Sequence, residues 1–233
     1  MGRVRVVILA AGVGSRLGSP NPKPLTLLED GRSIMQRAVD NLSTRFELSS
    51  VTVVVGFKKD MLMEAFPQVS FAYNPLFGET NTSKSLLKGL RLTGRDPVLW
   101  LNGDVVFEPA LLDLLADQLD RGQSFVAVNT EQVGDEEVKY DLDEAGFIRN
   151  LSKEVTPALG EAVGINFVSA DDKPYLIARL EDCDDNDYFE RGIELVIDKD
   201  ARRFSAVDIS SAMCIEVDFA EDLTRANNEL RSC

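Results

Sequence analysis

The chain of 233 residues contains no histidine. That absence removes hydrolases built on Ser-His-Asp or Cys-His pairs, which need an imidazole base. Cysteine is scarce. Cys183, Cys214 and Cys233 are odd in number and fall in no ligand spacing, which reads as reduced thiols in a cytoplasmic protein. No run approaches the ~18 consecutive apolar residues of a membrane span. The opening MGRVRVVILAAG is short and strand-like, and reads as neither a signal peptide nor a myristoylation site. Positive charge is also in short supply: 25 Lys+Arg against 39 Asp+Glu leave a net charge of −14, which argues against nucleic-acid and membrane partners.

The cations that are present gather at one end. Residues 1–60 carry nine Lys+Arg against five Asp+Glu, whereas the remaining 173 carry 16 against 34. With 44% hydrophobic residues there is ample material for a core. Short β-rich runs at 4–10, 51–56, 69–73, 97–104 and 124–129 alternate with amphipathic stretches at 33–46, 83–92 and 109–122. Such alternation implies βαβ units and a mostly parallel sheet. After about residue 130 the texture changes. A hairpin over 136–153 turning at EAG, a strand at 163–169, helices at 171–181 and 186–199, a strand at 213–218 and a helix from 219 are expected. The expectation is one α/β domain over 1–233, a Rossmann-like three-layer sandwich with a mixed, mostly parallel central sheet. Residues 1–130 would form a nucleotide-binding part and 131–233 an acceptor-binding part.

VRVVILAAGVGSRLG, residues 4–18, runs straight into SPNPKPL. Ligands of open α/β sheets bind beyond the carboxyl ends of the strands, and this glycine turn leaves the first strand there. The turn lacks the Gly-Lys-Ser/Thr that closes a P-loop. Gly12, Gly14 and Gly18 give G-x-G-x-x-x-G, one residue longer than the dinucleotide fingerprint, and Gly56-Phe57-Lys58 stands where that fingerprint wants an acid. What remains is a glycine cradle with two cations, Arg16 and Lys23, the latter stiffened between Pro22 and Pro24. That combination suits a triphosphate.

LAAGVGSRLG followed by KPL resembles the signature of the sugar-phosphate nucleotidyltransferase superfamily, whose members join an NTP to a phosphorylated acceptor and release pyrophosphate. NGD (102–104), GFIRNLSKE (146–154) and GEAVGINFVS (160–169) extend the likeness. YNPLFGETNTSKSLLKGL (73–90) and IEVDFAEDLTRA (215–226) resemble the small cytidylyltransferases acting on phosphocholine, inositol phosphate or phosphonates. One departure stands out: phosphocholine enzymes often carry two acids at the fourth strand, and NGDVVF supplies only Asp104.

The resemblance implies catalytic roles for Arg16 and Lys23, and Mg²⁺ ligation by Asp104 and Asp218. It implies nucleotide contacts from Leu9, Ala10, Ala11, Gly12, Gly14, Ser15, Gly56, Asn81, Ser85 and Asn102. Acceptor contacts would come from Lys153, Glu161, Tyr188 and Glu190. Blander readings stand beside these. Gly12 and Gly14 could simply turn a strand, Asn81 and Ser85 could open a helix, and Lys153 with Glu161 could be a solvated pair. Asp218 could cap a helix in a D-F-A-E box with Glu221. The expected reaction is transfer of a nucleoside monophosphate, CMP from CTP, to a small phosphate or phosphonate. An NAD(P)-binding oxidoreductase and an inactive nucleotide-binding regulator are the alternatives. A homodimer stands as a candidate assembly.

Overall fold

The computed structural model describes residues 3–18, 20–131, 133–134 and 137–232, the side chains of Ser15 and Ser232 apart. The first half runs β1 (Arg5–Ala10), α1 (Ile34–Ser43), β2 (Val51–Val55), α2 (Lys59–Ala65), β3 (Ser70–Tyr73), α3 (Thr82–Arg91) and β4 (Val98–Asn102). There follow β5 (Val105–Phe107), α4 (Ala110–Leu114), α5 (Ala116–Arg121), β6 (Phe125–Asn129), β7 (Lys139–Leu142), β8 (Ile148–Ser152) and β9 (Gly160–Val168). The chain continues as α6 (Lys173–Asp182), α7 (Phe189–Asp200), β10 (Ser205–Asp208), β11 (Cys214–Glu216) and α8 (Ala220–Ser232).

The main sheet has the path β10-β6-β9-β4-β1-β2-β3, with β7 and β8 attached beside β9. Along this path only β9 runs against its neighbours, pairing antiparallel with both β4 and β6. The other neighbours, β1 with β2 and β4, β2 with β3, and β6 with β10, are parallel. The mixed, mostly parallel sheet expected from sequence is therefore present.

Side-chain alternation explains the layers. Val6, Ile8 and Ala10 face one core with Met35 and Leu42 of α1, Leu62 of α2 and Leu111 and Leu119 of α4 and α5. Val7 and Leu9 face the other with Leu86 and Leu90 of α3, Leu176 of α6 and Ile193 of α7. Strands covered on both faces read as near-continuous apolar runs, as VVILA and VTVVV do. Ser33 caps α1 by accepting from the Gln36 amide at 3.1 Å. Gly89 lets α3 lie close on the sheet, since a Cβ there would sit 2.6 Å from Val7 Cγ1.

Several boundaries differ from the sequence reading. The expected helix over 109–122 divides at Leu115 into α4 and α5. The strand expected to reach 104 ends at Asn102, and β5 departs to pair with β11 in a separate two-stranded sheet. The strand placed at 163–169 starts three residues earlier, and the helix placed at 186 starts at Phe189. Periodicity missed α2, β5 and β10, all seven residues or fewer.

Candidate active site

β1 and β4 lie side by side: the chain leaves β1 toward β2 and β3 on one flank, then crosses back through α3 to place β4 on the other. Strand order reverses between them, the place where open α/β sheets bind ligands. The glycine turn leaves β1 there. Gly14 adopts φ +63°, and a Cβ would lie 2.7 Å from Lys23 Cβ, so the turn folds directly onto the KPL segment. Ala11 O accepts from Phe57 N at 3.0 Å and Leu9 O from Gly103 N at 2.8 Å, tying the turn to its neighbours. Lys58 Nζ donates to Pro20 O at 2.6 Å.

Lys23 projects from a short 3₁₀ turn over Lys23–Leu25 and is buried. Its ammonium donates to Asp104 Oδ2 at 2.6 Å and to Asp218 Oδ1 at 2.5 Å. Arg16 Nη1 donates to Asp218 Oδ2 at 3.0 Å, with its guanidinium 5.7 Å from the centre of the Phe219 ring. Residues 104 and 218 meet because β11 pairs with β5, after which Val217 N donates to Asp104 O at 3.0 Å. Burial alone would lower the Lys23 pKa, but the attraction of Asp104 and hydrogen bonds to both carboxylates hold it above its ordinary value. Asp104 goes the other way. Its burial outweighs the attraction of Lys23 and raises its pKa. Asp218, also penalised by burial, is held below the usual range by Lys23 and Arg16.

These groups line a cavity of about 240 Å³ together with Leu9, Ala10, Gly12, Gly14, Pro24 and Gly103. It adjoins a larger cleft of about 1060 Å³ that shares Leu9, Gly12, Arg16, Asp104 and Asp218. The cleft extends past Asn102, Lys153, Glu161, Tyr188 and Glu190, and its wall is acidic. Glu190 is 8% exposed, its Oε2 has no hydrogen-bond partner, and burial pushes its pKa up to about 7. Glu216 is raised well above the usual range by burial and then by repulsion from Asp104 and Asp218. Burial and Glu161 raise Glu137. Lys153 Nζ stands 5.5 Å from the Tyr188 ring centre.

Not every expected residue reaches the cleft. Asn81 caps α3 by accepting from Thr82 N at 2.8 Å and donates from Nδ2 to Asn186 O at 3.2 Å. Ser85 is buried and accepts from Asn74 Nδ2 at 3.1 Å. Thr82, between them, is the residue of that segment lining the cleft. Gly56 and Ala11 are buried against one another, and a Cβ on Gly56 would lie 2.5 Å from Ala11 O; their part is to let β1 and β2 end close together. The side chain of Ser15 lies outside the described residues. The expected capping box is also corrected. Asp218 is engaged by Lys23 and Arg16, and Asp222 rather than Glu221 accepts from the amides of Asp218 (3.1 Å) and Phe219 (2.9 Å).

Sequence reasoning passed over Glu137, Glu216 and Phe219. The alternation in IEVD puts Glu216 and Asp218 on one face of β11 and its extension, a signal that could have found the former. Glu137 has no local signal.

Residues 6–203 match the model of the MobA-like NTP transferase domain. The chain belongs to that family. It is thus a member of a nucleotidyltransferase family, not of the dinucleotide-binding oxidoreductases. This MobA-like chain is 38% identical over 122 residues to a CMP-5'-(3-aminopropyl)phosphonate synthase of Streptomyces rubellomurinus, covering 48% of the chain and 19% of that protein. It is 27% identical over 158 residues to the bifunctional protein GlmU of Methanococcus maripaludis, covering 65% of the chain and 37% of that protein. The matches thus span about a fifth and a little over a third of those relatives. Among solved structures, the inositol-1-phosphate CTP transferase from T. maritima superposes with a TM-score of 0.81 at 18% identity, covering 100% of this chain and 96% of its own. The CTP:phosphocholine cytidylyltransferase from Streptococcus pneumoniae gives 0.75 at 15%, covering 98% and 99%. At these identities the superpositions speak for the fold, the Rossmann-like α/β architecture expected from sequence. Among the described residues no helix is long and apolar enough to cross a membrane.

Proposed function

We propose that the protein transfers CMP from CTP to a small phosphonate or phosphate acceptor, with Mg²⁺ and with release of pyrophosphate, in the cytoplasm. The observation that carries the reading is the meeting of Lys23, Arg16, Asp104 and Asp218 around a glycine-lined cavity at the sheet's switch point. Two cations beside a glycine turn fit a polyphosphate, and two carboxylates beside it fit a hard divalent cation. Mg²⁺ is commonly held by one or two carboxylates plus substrate phosphates. Asp104 Oδ1, buried and without a partner, leaves a ligating oxygen available. Asp104 and Asp218 would hold the ion, which supplies charge neutralisation at the phosphates when bound.

The chain's own groups then carry the step. An acceptor oxygen, already anionic near neutral pH since even a phosphonate or phosphate monoanion carries one charged oxygen and a phosphate monoester loses its second proton near ~6, attacks the α-phosphorus. A P–O bond forms, the bond to the bridging oxygen breaks, and pyrophosphate leaves with the electron pair. No general base is needed, consistent with a chain that has no histidine. Arg16 and Lys23 stabilise the charge that builds on the α-phosphoryl oxygens and on the leaving group. Leu9, Ala10, Gly12, Gly14 and Asn102 would border the nucleotide.

The acceptor reading is an amine-bearing phosphonate. The similarity to an aminopropylphosphonate enzyme supports it, and so does the cleft, where Glu190, Glu137 and Glu216 with the Tyr188 ring suit an ammonium group. Lys153 would meet the phosphonate. The test is a matrix of four NTPs with Mg²⁺ against aminoalkylphosphonates, alkylphosphonates lacking the amine, phosphocholine, inositol phosphate and sugar phosphates, scored by pyrophosphate. CTP with an aminoalkylphosphonate should give the highest rate. Equal rates with and without the amine would sink the acceptor reading, and no pyrophosphate from any pair would sink the transferase reading.

A further inference from the structure

Before any ligand arrives, the charges at the site already cancel. The ammonium of Lys23 and the guanidinium of Arg16 stand against the carboxylates of Asp104 and Asp218, with both Asp218 oxygens and one Asp104 oxygen taken. A divalent ion entering this arrangement alone would meet two cations already paired with the carboxylates and a single unpartnered oxygen, Asp104 Oδ1. Coulomb repulsion at these separations is not screened as it is in water, because Lys23 is buried. A polyphosphate changes the balance, offering the ammonium other oxygens and adding negative charge of its own.

We propose that in the nucleotide-free protein Lys23 occupies the cation site itself, standing in for the divalent metal, and that the carboxylates become available to the metal only when a polyphosphate draws Lys23 away. This rests on the reading of Asp104 and Asp218 as metal ligands. Lysine suits the exchange: it is a point charge on a flexible stem, with three donors that any ring of oxygens can accept. The backbone that carries it is fixed, by Pro22 and Pro24 and by the bonds Leu25 N to Pro22 O and Thr26 N to Lys23 O, each 2.9 Å. Only the side chain needs to move. The cavity of about 240 Å³ that Lys23 borders, facing the glycine turn, gives the ammonium somewhere to go. In the absence of both metal and nucleotide, the lysine keeps two acids from facing each other without a counter-charge. The consequence is ordered binding: metal and nucleotide favour each other's entry, reciprocally, as linkage requires.

Mn²⁺ serves as the probe, its unbound fraction read by electron paramagnetic resonance, so that no turnover is involved. Wild type, Lys23→Met and the double variant Lys23→Met/Asp104→Asn are titrated without nucleotide, and wild type and the single variant Asp104→Asn again with a non-hydrolysable CTP analogue. The expected result is that Lys23→Met binds Mn²⁺ at least tenfold more tightly than nucleotide-free wild type, and that Asp104→Asn abolishes the gain. Nucleotide-free wild type binding Mn²⁺ as tightly as Lys23→Met overturns the proposal. The analogue arm tests the ligand reading separately: Mn²⁺ uptake by wild type that is unchanged by Asp104→Asn in the presence of the analogue removes that reading. Should Lys23→Met fail to fold, the ¹⁵N signal of the Lys23 ammonium in wild type decides. It should stay in place with Mg²⁺ alone and shift with Mg²⁺ plus analogue. A shift of the same size with Mg²⁺ alone overturns the proposal.

Discussion

Glu190→Gln should make the protein more stable at alkaline pH. Glu190 sits in the first turn of α7, almost wholly buried, with one carboxylate oxygen lacking a partner. Burial lifts its pKa from an ordinary 4.5 to about 7. In the folded state the acid therefore holds its proton over a range where the unfolded chain has released it. Stability must fall as pH rises from about 4.5 to about 7, because the native state binds more protons there. At about 1.4 kcal/mol per pH unit of displacement, the span amounts to ~3 kcal/mol of stability lost above pH 7. Glutamine keeps the shape and cannot ionise. Urea unfolding of wild type and Glu190→Gln at pH 5, 6, 7 and 8 should give a difference that is small at pH 5 and grows to ~2–3 kcal/mol in favour of the variant at pH 8. Asp104, Glu137 and Glu216 also have raised pKa values and tilt the wild-type curve the same way. Taking the difference between the two proteins cancels their share. A difference that stays flat across pH would refute the account of Glu190 as a carboxylate whose burial outweighs its backbone hydrogen bond and the attraction of Lys153. An unfavourable carboxylate kept at a cleft wall is the pattern expected of a binding group.

Three further outcomes follow from the same geometry. Lys23→Ala should lower kcat by ~10²–10³, with circular dichroism unchanged; turnover within twofold of wild type would show that the ammonium does not act on the phosphates. Arg16→Ala removes a more exposed cation, so its loss in kcat/KM should be smaller than that of Lys23→Ala in parallel assays, and the reverse ranking would count against the burial argument. Far from the cleft, Gly89→Ala places a methyl against Val7 and should cost ~1–3 kcal/mol by chemical denaturation while leaving specific activity intact below its melting temperature.

Much of the architecture could be read in the chain because its first strands are plain apolar runs and its helices carry readable caps. VVILA of β1 and VTVVV of β2, with Thr52 as its one polar residue, are nearly continuous apolar runs, as strands buried on both faces must be, and α1 and α3 have caps that can be read directly in Ser33 and Asn81. The glycine turn, Arg16, Lys23 and Asp104 were legible because they cluster within one motif or end a strand. What escaped depends on contacts distant in sequence. β5 is three residues long and exists by pairing with β11, so its own window carries no pattern. Asn81 and Ser85 share a helix face, as their spacing requires, but the face is turned toward Asn186 and Asn74 rather than the cleft. Sequence spacing fixes which residues stand together and leaves open what they stand against. The acidic wall formed by Glu137, Glu190 and Glu216 draws on a loop, a helix and a strand, and no local signal joins them.

The central claim is that one cleft joins CMP to a phosphonate. ³¹P NMR of the protein with CTP, Mg²⁺ and an aminoalkylphosphonate tests it most directly, because the new bond and the leaving group are both visible. The account predicts loss of the CTP resonances with matched growth of pyrophosphate and of a coupled phosphonate–phosphate anhydride pair. CTP and phosphonate signals that persist unchanged, or CTP hydrolysed to CMP with no anhydride formed, would contradict it.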